Sequence, residues 1–271
     1  MNKCVLFRKN VDDFNNDQDD EFFDSFSFFK TVEYRTLIST NSLVIGRYSV
    51  LPFYKELEKE LNIRNSFLIN NYLQHRYIAD ITNYYEDLKE FTPKTYTEWG
   101  SLPEGKYIVK GKTNSRKHNW NTHMFAKDKK SLLEIINRLY DDSFIWNQGL
   151  VVREYVPLEK LDEGINGVPI SNEWRFFYYK ENMLCNGYYW ANFPDLNVKL
   201  DYEMIKFSEK IAKIVAKKAN FFVLDIAKKV DNGYILIEVN DGQMSGLSNC
   251  KSKELYKNLS ECLRREDYVR D

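Results

Sequence analysis

Apolar and polar positions follow two rhythms along this chain, and the switches between them sort its 271 residues into strands and helices. Near the start, CVLF (4–7), LVIG (43–46) and SFLIN (66–70) are short apolar runs of strand length. Between the last two, PFYKELEKELN (52–62) has helical spacing, with a proline near its first turn. LQHRYIADITNYYEDLKEF (73–91) repeats that spacing. VDDFNNDQDDEFFDSF (11–26) is acidic and aromatic and reads as an irregular excursion. Strands alternating with helices predict an α/β unit over residues 1–92.

PKTYTEWGSLPEGK (93–106) carries two prolines and two glycines and is the best internal boundary, so a second unit is expected over 93–271. There YIVK (107–110) and LVVREYV (150–156) read as strands and KKSLLEIINRLYDD (129–142) as a helix. NEWRFFYYKENMLCNGYYW (172–190) reads as a hairpin, and the stretches 202–220 and 252–267 as amphipathic helices. FFVLDIAKK, VDNG and YILIEVNDGQMSG (221–246) form two apolar runs around a turn of the Asp-Asn-Gly kind, a second hairpin.

That last hairpin holds the most informative chemistry. Asp225 interrupts an otherwise apolar run, and Glu238 and Asn240 lie two apart, so they project from one face. A carboxylate inside such a run is costly unless it is paired or bound to metal. Three oxygen donors on neighbouring strands suit a hard cation, Mg²⁺ bridging to phosphates above all. The plainer reading, solvent-facing positions of a half-buried sheet, fits Lys228 and Lys229 better than it fits Asp225.

Three cations accompany the acids. Lys110 ends a strand next to Gly111, where it can reach phosphate or simply face solvent. Gly111-Lys112-Thr113 is no phosphate loop of the Walker type, because position 106 is lysine and Gly105 comes one residue too early. The loop that follows is rich in donors, among them Ser115, Arg116, Lys117 and His118, and reads either as a phosphate cover or as an exposed loop. Arg153 and Arg175 stand inside apolar strands and need anionic partners, from a ligand or from the fold. Arg47, where the chain leaves a strand of the first unit, is a candidate for a substrate carboxylate or a surface arginine.

Composition narrows the field. Net charge is −1, so no overall field favours nucleic acid or membrane, and no apolar stretch approaches membrane-spanning length. Cys4, Cys185, Cys250 and Cys262 are scattered, which fits a reducing cytosol and gives no zinc signal. His75, His118 and His123 show no ligand spacing, and His75 and His123 read as ordinary polar or loop histidines.

One lysine, two arginines and the D…E-x-N set resemble the ATP-grasp superfamily, in particular a clade of phages and bacteria named for two arginines and a lysine. The resemblance covers residues 94–271, and its most specific part is the D-x-A…E-x-N-D-G-Q-x-S-G-L pattern; the residues before look like the small domain that precedes the grasp fold. It implies an α/β (α+β) fold clasping ATP between two subdomains, and a cytoplasmic ATP-dependent carboxylate–amine ligase that forms an amide through an acyl-phosphate on an amino acid, peptide or protein. Lys110 would contact the α and β phosphates, and Arg175 the transferred phosphate. Arg153 suits the clade. Glu154, Tyr155 and Val156 would form the hinge, with the backbone of Glu154 and Val156 at the adenine edge. Glu159 or a neighbour would hold the ribose. Asp225, Glu238 and Asn240 would bind Mg²⁺. The familiar glycine cluster after Lys110 is missing, and no catalytic base is evident. A kinase, a nucleotidyltransferase and a non-catalytic nucleotide-binding module remain alternatives.

Overall fold

The computed structural model describes residues 1–7, 16–47, 53–193, 196 and 198–270. Strands β1 (Asn2–Phe7), β2 (Lys30–Val32), β3 (Ser42–Arg47) and β4 (Phe67–Leu68) form an all-parallel sheet in the order β2-β1-β3-β4. Helices α1 (Asn16–Phe26) and α2 (Tyr54–Ile63) are its crossovers. Cys4, Leu6, Val44, Leu57 and Leu61 pack on one face, and the central strands are apolar throughout because both faces are covered.

The excursion expected over 11–26 is in fact helical from Asn16; residues 11–15, like Pro52, lie outside the described residues. Its own sequence is too polar to announce a helix. Tertiary docking decides it: Glu21 and Ser25, one turn apart, are buried, and Glu21 accepts from Tyr256 at 2.8 Å. The stretch 73–91 is two helices, α3 (Tyr72–Ala79) and α4 (Ile81–Leu88). Asp80 separates them, ending one in extended geometry and capping the next through Thr82 N–H at 3.0 Å.

The rest is built on two antiparallel sheets. In the first, β5 (Thr95–Tyr96), β6 (Tyr107–Gly111), β7 (Phe125–Ala126) and β8 (Leu150–Glu154) run in the order β5-β8-β6-β7 beneath α5 (Lys129–Tyr140), with the short α6 (Ser143–Trp146) leading into β8. A small hairpin, β9 (Lys160–Glu163) with β10 (Pro169–Ser171), leads to the second. That sheet has the order β12-β11-β13-β14, from β11 (Glu173–Tyr179), β12 (Asn182–Tyr188), β13 (Phe221–Lys228) and β14 (Tyr234–Asp241). Both faces are covered. Phe222, Leu224 and Ile226 meet α7 (Tyr202–Val215), and Phe221 and Val223 meet α8 (Ser252–Arg270) and the parallel sheet.

The hairpin β13–β14 forms as expected, with Asn232 in the left-handed region (φ 65°) at its turn. A bulge after Asp225 leaves Ile237 without a partner and sets Asp225 opposite Glu238. Among the described residues no helix is long and apolar enough to cross a membrane.

Candidate active site

A cleft opens between the two antiparallel sheets, and most of the charged residues singled out from the sequence converge on it. β6 ends with Lys110, 5% exposed, whose ammonium donates to Glu238 Oε1 on β14. Burial pulls that ammonium below the ordinary lysine range, with Glu238 opposing and Arg153 adding to the fall. Burial would raise the Glu238 carboxyl, but Lys110 and Lys117 overcome it and hold it down at about 2.

Arg175 lies opposite Asp225 in the β11–β13 register. Its guanidinium grips that carboxylate with two bonds of 2.8 Å, and its third nitrogen donates to the Gly246 carbonyl at 2.7 Å. The fork geometry and full burial of Asp225 make this a strong pair. Burial disfavours the Arg175 charge, yet Asp225 holds it above the usual arginine range. Asn240 completes the group, 3.4 Å from Asp225 Oδ2.

Asp225, Glu238 and Asn240 thus share a face and differ from a bare acidic patch in having Lys110 and Arg175 already against the carboxylates. Two carboxylates and an amide oxygen are donors suited to Mg²⁺, so the residues fit that ion. No group of three His, Cys, Asp or Glu suited to a metal occurs among the described residues; Asn240 has to supply the third donor.

Arg153 has a different environment from the one expected. Its guanidinium donates to the Ile237 carbonyl and the Thr92 hydroxyl, each at 2.6 Å, and Nε reaches Thr95 at 3.3 Å. The bulge is what turns that Ile237 carbonyl toward it. No carboxylate is bonded to it, and burial lowers its pKa from the usual arginine value. It lines the cleft while stapling β8 to β14.

The cleft narrows between Ile108, Met124, Leu158, Val168 and Ile237 into an apolar slot beside Glu154, Tyr155 and Val156. The Glu154 N–H is taken by the Lys94 carbonyl (2.8 Å) and that of Tyr155 by the Lys106 carbonyl (2.9 Å). The Val156 N–H has no partner among the described residues. Glu159 turns to Asn172 (2.7 Å) and Lys228 (3.7 Å), outside the lining of the cleft. The carboxylate that does line the cleft is Glu173, 3% exposed, with Oε1 unpaired and Oε2 3.3 Å from Ser171. Burial pushes its pKa up to about 7, against the pull of Lys117. Its spacing from Arg175, two residues on one strand face, was the available sequence signal.

Lys117 and Tyr189 are further site residues that the sequence does not single out. Lys117 donates to Tyr189 Oη at 2.7 Å and lies 4.2 Å from the centre of that ring; Arg175 lies 4.9 Å from it. Burial opposes the Lys117 charge, but Tyr189, Glu173, Glu238 and Asp225 raise its pKa above the ordinary value. The loop itself is ordered into a 3₁₀ turn (Lys117–Asn119) and a π turn (Trp120–Met124). Arg116 grips Asp142 with bonds of 2.6 and 2.7 Å, and Asn166 holds the His118 carbonyl.

Arg47 is committed elsewhere. It donates to Glu21 at 2.7 Å and to the Gly242 carbonyl, and is 8% exposed. The free guanidinium expected at a substrate is instead a strut between the parallel sheet and the end of β14. His75, read as an ordinary polar histidine, is fully buried and bonded to Asp241 at 2.9 Å.

Residues 98–259 match the model of an ATP-grasp domain family, the third of the clade named for two arginines and a lysine, and the chain belongs to that family. No curated protein matches the sequence. Several solved structures share the fold over nearly their whole length. D-cycloserine synthetase DcsG is 12% identical with a TM-score of 0.60, over 96% of this chain and 99% of that one. D-alanine–D-alanine ligase from Bacillus anthracis, complexed with ATP, is 12% identical with a TM-score of 0.59, over 98% and 99%. The ATP-grasp ligase PsnB, with minimal precursor, Mg and ADP, is 11% identical with a TM-score of 0.56, over 96% and 98%.

Proposed function

We propose that the protein is a carboxylate–amine ligase that uses ATP to make an amide through an acyl-phosphate, acting on an amino acid, a peptide or a protein. Membership of the ATP-grasp family and a fold shared with several ligases place it in the class of ATP-dependent ligases. The observation that carries the reading is the pairing of Lys110 with Glu238 and Arg175 with Asp225 at one end of a cleft, with an apolar slot and the unpaired Val156 amide at the other. A base fits the slot, a polyphosphate the charged end. The two units, 1–92 and 93–271, would hold acid and nucleotide between them.

Lys110 and Arg175 would leave their carboxylates for phosphate oxygens, and Lys117 would follow from Tyr189. Asp225, Glu238 and Asn240 would hold Mg²⁺, which when bound neutralises charge spreading over the transferred group. Glu173, rather than Glu159, is the carboxylate suited to accept from ribose hydroxyls, because its free oxygen lines the cleft. Arg153 keeps the hinge at its working distance from β14. The substrate carboxylate attacks the terminal phosphorus, ADP leaves, and an amine then displaces phosphate from the acyl-phosphate. The four free cysteines suit a reducing compartment, and the peptide-linked PsnB neighbour makes a peptide substrate worth testing first.

Turnover of ATP with pooled acids, amino acids and peptides tests the reading. ADP and phosphate formed only when acid and amine are both present support it. AMP as product, or phosphoryl transfer complete without amine, would replace it.

A further inference from the structure

We infer that Asp241 is a positioning residue for Asn240 and Arg175, and that the N-terminal unit supplies the groups that fix it. The inference rests on the ligase reading only in taking Asn240 as a cation ligand. Asn240 is the last residue but one of β14, where a strand would ordinarily fray. Asp241, next along, projects from the opposite face. It is 3% exposed and meets groups brought by α2, α3 and the turn after β14.

Its two oxygens are fully engaged. Oδ1 accepts from Asn70 Nδ2 at 3.0 Å and the Gln243 N–H at 2.9 Å, and Oδ2 from His75 Nδ1 at 2.9 Å. Nδ1 carries the proton in that bond, since an ionised carboxylate can only accept. Each partner is itself fixed. Asn70 also bonds the Phe221 carbonyl at 2.7 Å and accepts from the Asn220 and Phe221 amides. His75 stacks on Tyr54 at 4.2 Å. Gln243 donates to Tyr54 Oη at 2.7 Å and accepts from the Gly46 N–H at 3.1 Å. The Asp241 carbonyl takes Ser245 Oγ at 2.8 Å, which closes the turn that ends at Gly246, and Gly246 is the carbonyl holding Arg175.

So one chain of bonds runs from the parallel sheet, through Asp241, to the Asn240 amide on one side and the Arg175 guanidinium on the other. A buried carboxylate among apolar helices is a poor way to stabilise a fold, since well-packed apolar groups do it as well or better. It is a good way to fix a neighbour's direction, because hydrogen bonds define angles that packing leaves loose. Ligands must be held within about 0.5 Å, a tolerance set by the groups behind them.

The test is the Mg²⁺ dependence of binding a non-hydrolysable ATP analogue, followed by calorimetry beside thermal melting. Asp241→Asn sets an amide donor against the donors that now meet the carboxylate. It should raise the Mg²⁺ half-saturation about tenfold or more, on the scale of lost ligand-orienting bonds, while analogue binding without metal changes less than about twofold. His75→Gln keeps a donor for Oδ2 and should retain most of the parental Mg²⁺ response; His75→Phe should not. Should Asp241→Asn fail to fold, Gln243→Met and the histidine pair carry the test. Melting temperatures that fall while Mg²⁺ half-saturation stays parental in these variants would make Asp241 a structural residue and overturn the inference. A parental protein that shows no Mg²⁺-dependent binding would instead overturn the ligase reading.

Discussion

Two buried charged regions of this molecule look alike in sequence and behave oppositely in structure. In the cleft, Lys110–Glu238 and Arg175–Asp225 are pairs of strong opposite charges facing a space large enough for a ligand. At the seam between the parallel sheet and β14, Arg47–Glu21 and His75–Asp241 face no such space, and the groups around them are bonded to one another. The first set is able to exchange partners, since phosphate can replace a carboxylate at a cation and a metal can replace the cation. The second is a closed network whose bonds serve the fold. A buried arginine at a strand end is therefore three different things here: ligand-facing in Arg175, a staple in Arg153 and a strut in Arg47.

The largest effect should come from emptying the cleft. Glu238→Ala removes a proposed ligand and leaves Lys110 buried without its carboxylate. ATP turnover should fall by at least about 10²–10³-fold, the scale of removing one preorganised charge-stabilising group. Turnover within tenfold of parental at saturating Mg²⁺ would equate this region with the seam.

Arg47→Ala sharpens the contrast from the other side. It strands Glu21 in a buried position and should cost about 3–5 kcal/mol of stability, the range for breaking a buried pair. Chemical unfolding measures that. The KM values for ATP and for the acid should move little. A selective rise in the acid KM with stability intact would return Arg47 to the substrate.

How far these outcomes can be read from the chain depends on the range of the interaction. β13 and β14 are legible because apolar runs, turn chemistry and interrupting acids all lie within about 25 residues. The grouping of Asp225, Glu238 and Asn240 follows from strand periodicity alone. The helix at Asn16–Phe26 is not legible, because its buried Glu21 is satisfied by Arg47 and by Tyr256, 235 positions away. His75 and Asp241 are 166 positions apart, and each looks ordinary without the other. The sequence points to Glu159 instead of Glu173 because the strand start at Glu173 fixes which acid faces the cleft, and the hairpin before it leaves no trace in hydrophobic rhythm.

Acidity offers a finer comparison inside the cleft, because its two acids have opposite slopes. Glu173 has its folded pKa raised from 4.5 to about 7. Between those values the folded protein binds more protons than the unfolded chain, so stability falls as pH rises through about 7 and then levels. Glu238 is depressed to about 2. Its contribution is complete above 4.5 and is lost only as pH falls toward 2, so it is flat where Glu173 is changing. Glu173→Gln should therefore gain stability relative to the parent across pH 4.5 to 7, by at most about 1.4 kcal/mol per pH unit. Parallel stability curves for the two proteins over that window would show that Glu173 is ionised in the fold and placed like a seam residue.

The smallest expected effect separates ring from hydroxyl at Tyr189, where the two regions' logic meets in one side chain. The ring lies against both Lys117 and Arg175, and the hydroxyl accepts from Lys117 alone. If this contact is exchangeable like the rest of the cleft, Mg²⁺ and nucleotide draw Lys117 away and the hydroxyl loses its partner on binding. Tyr189→Phe then removes a bond made only in the free protein, worth about 1 kcal/mol. Nucleotide affinity should rise slightly, by up to about fivefold, and amides near Lys117 should exchange faster in the free state. Tyr189→Leu removes the aromatic face as well and should weaken nucleotide binding, because Arg175 loses a surface that orients it. Equal losses of affinity in both variants would mean the hydroxyl bond persists with nucleotide bound. Lys117 would then belong to the scaffold, and the loop would be fixed rather than a cover that closes on phosphate.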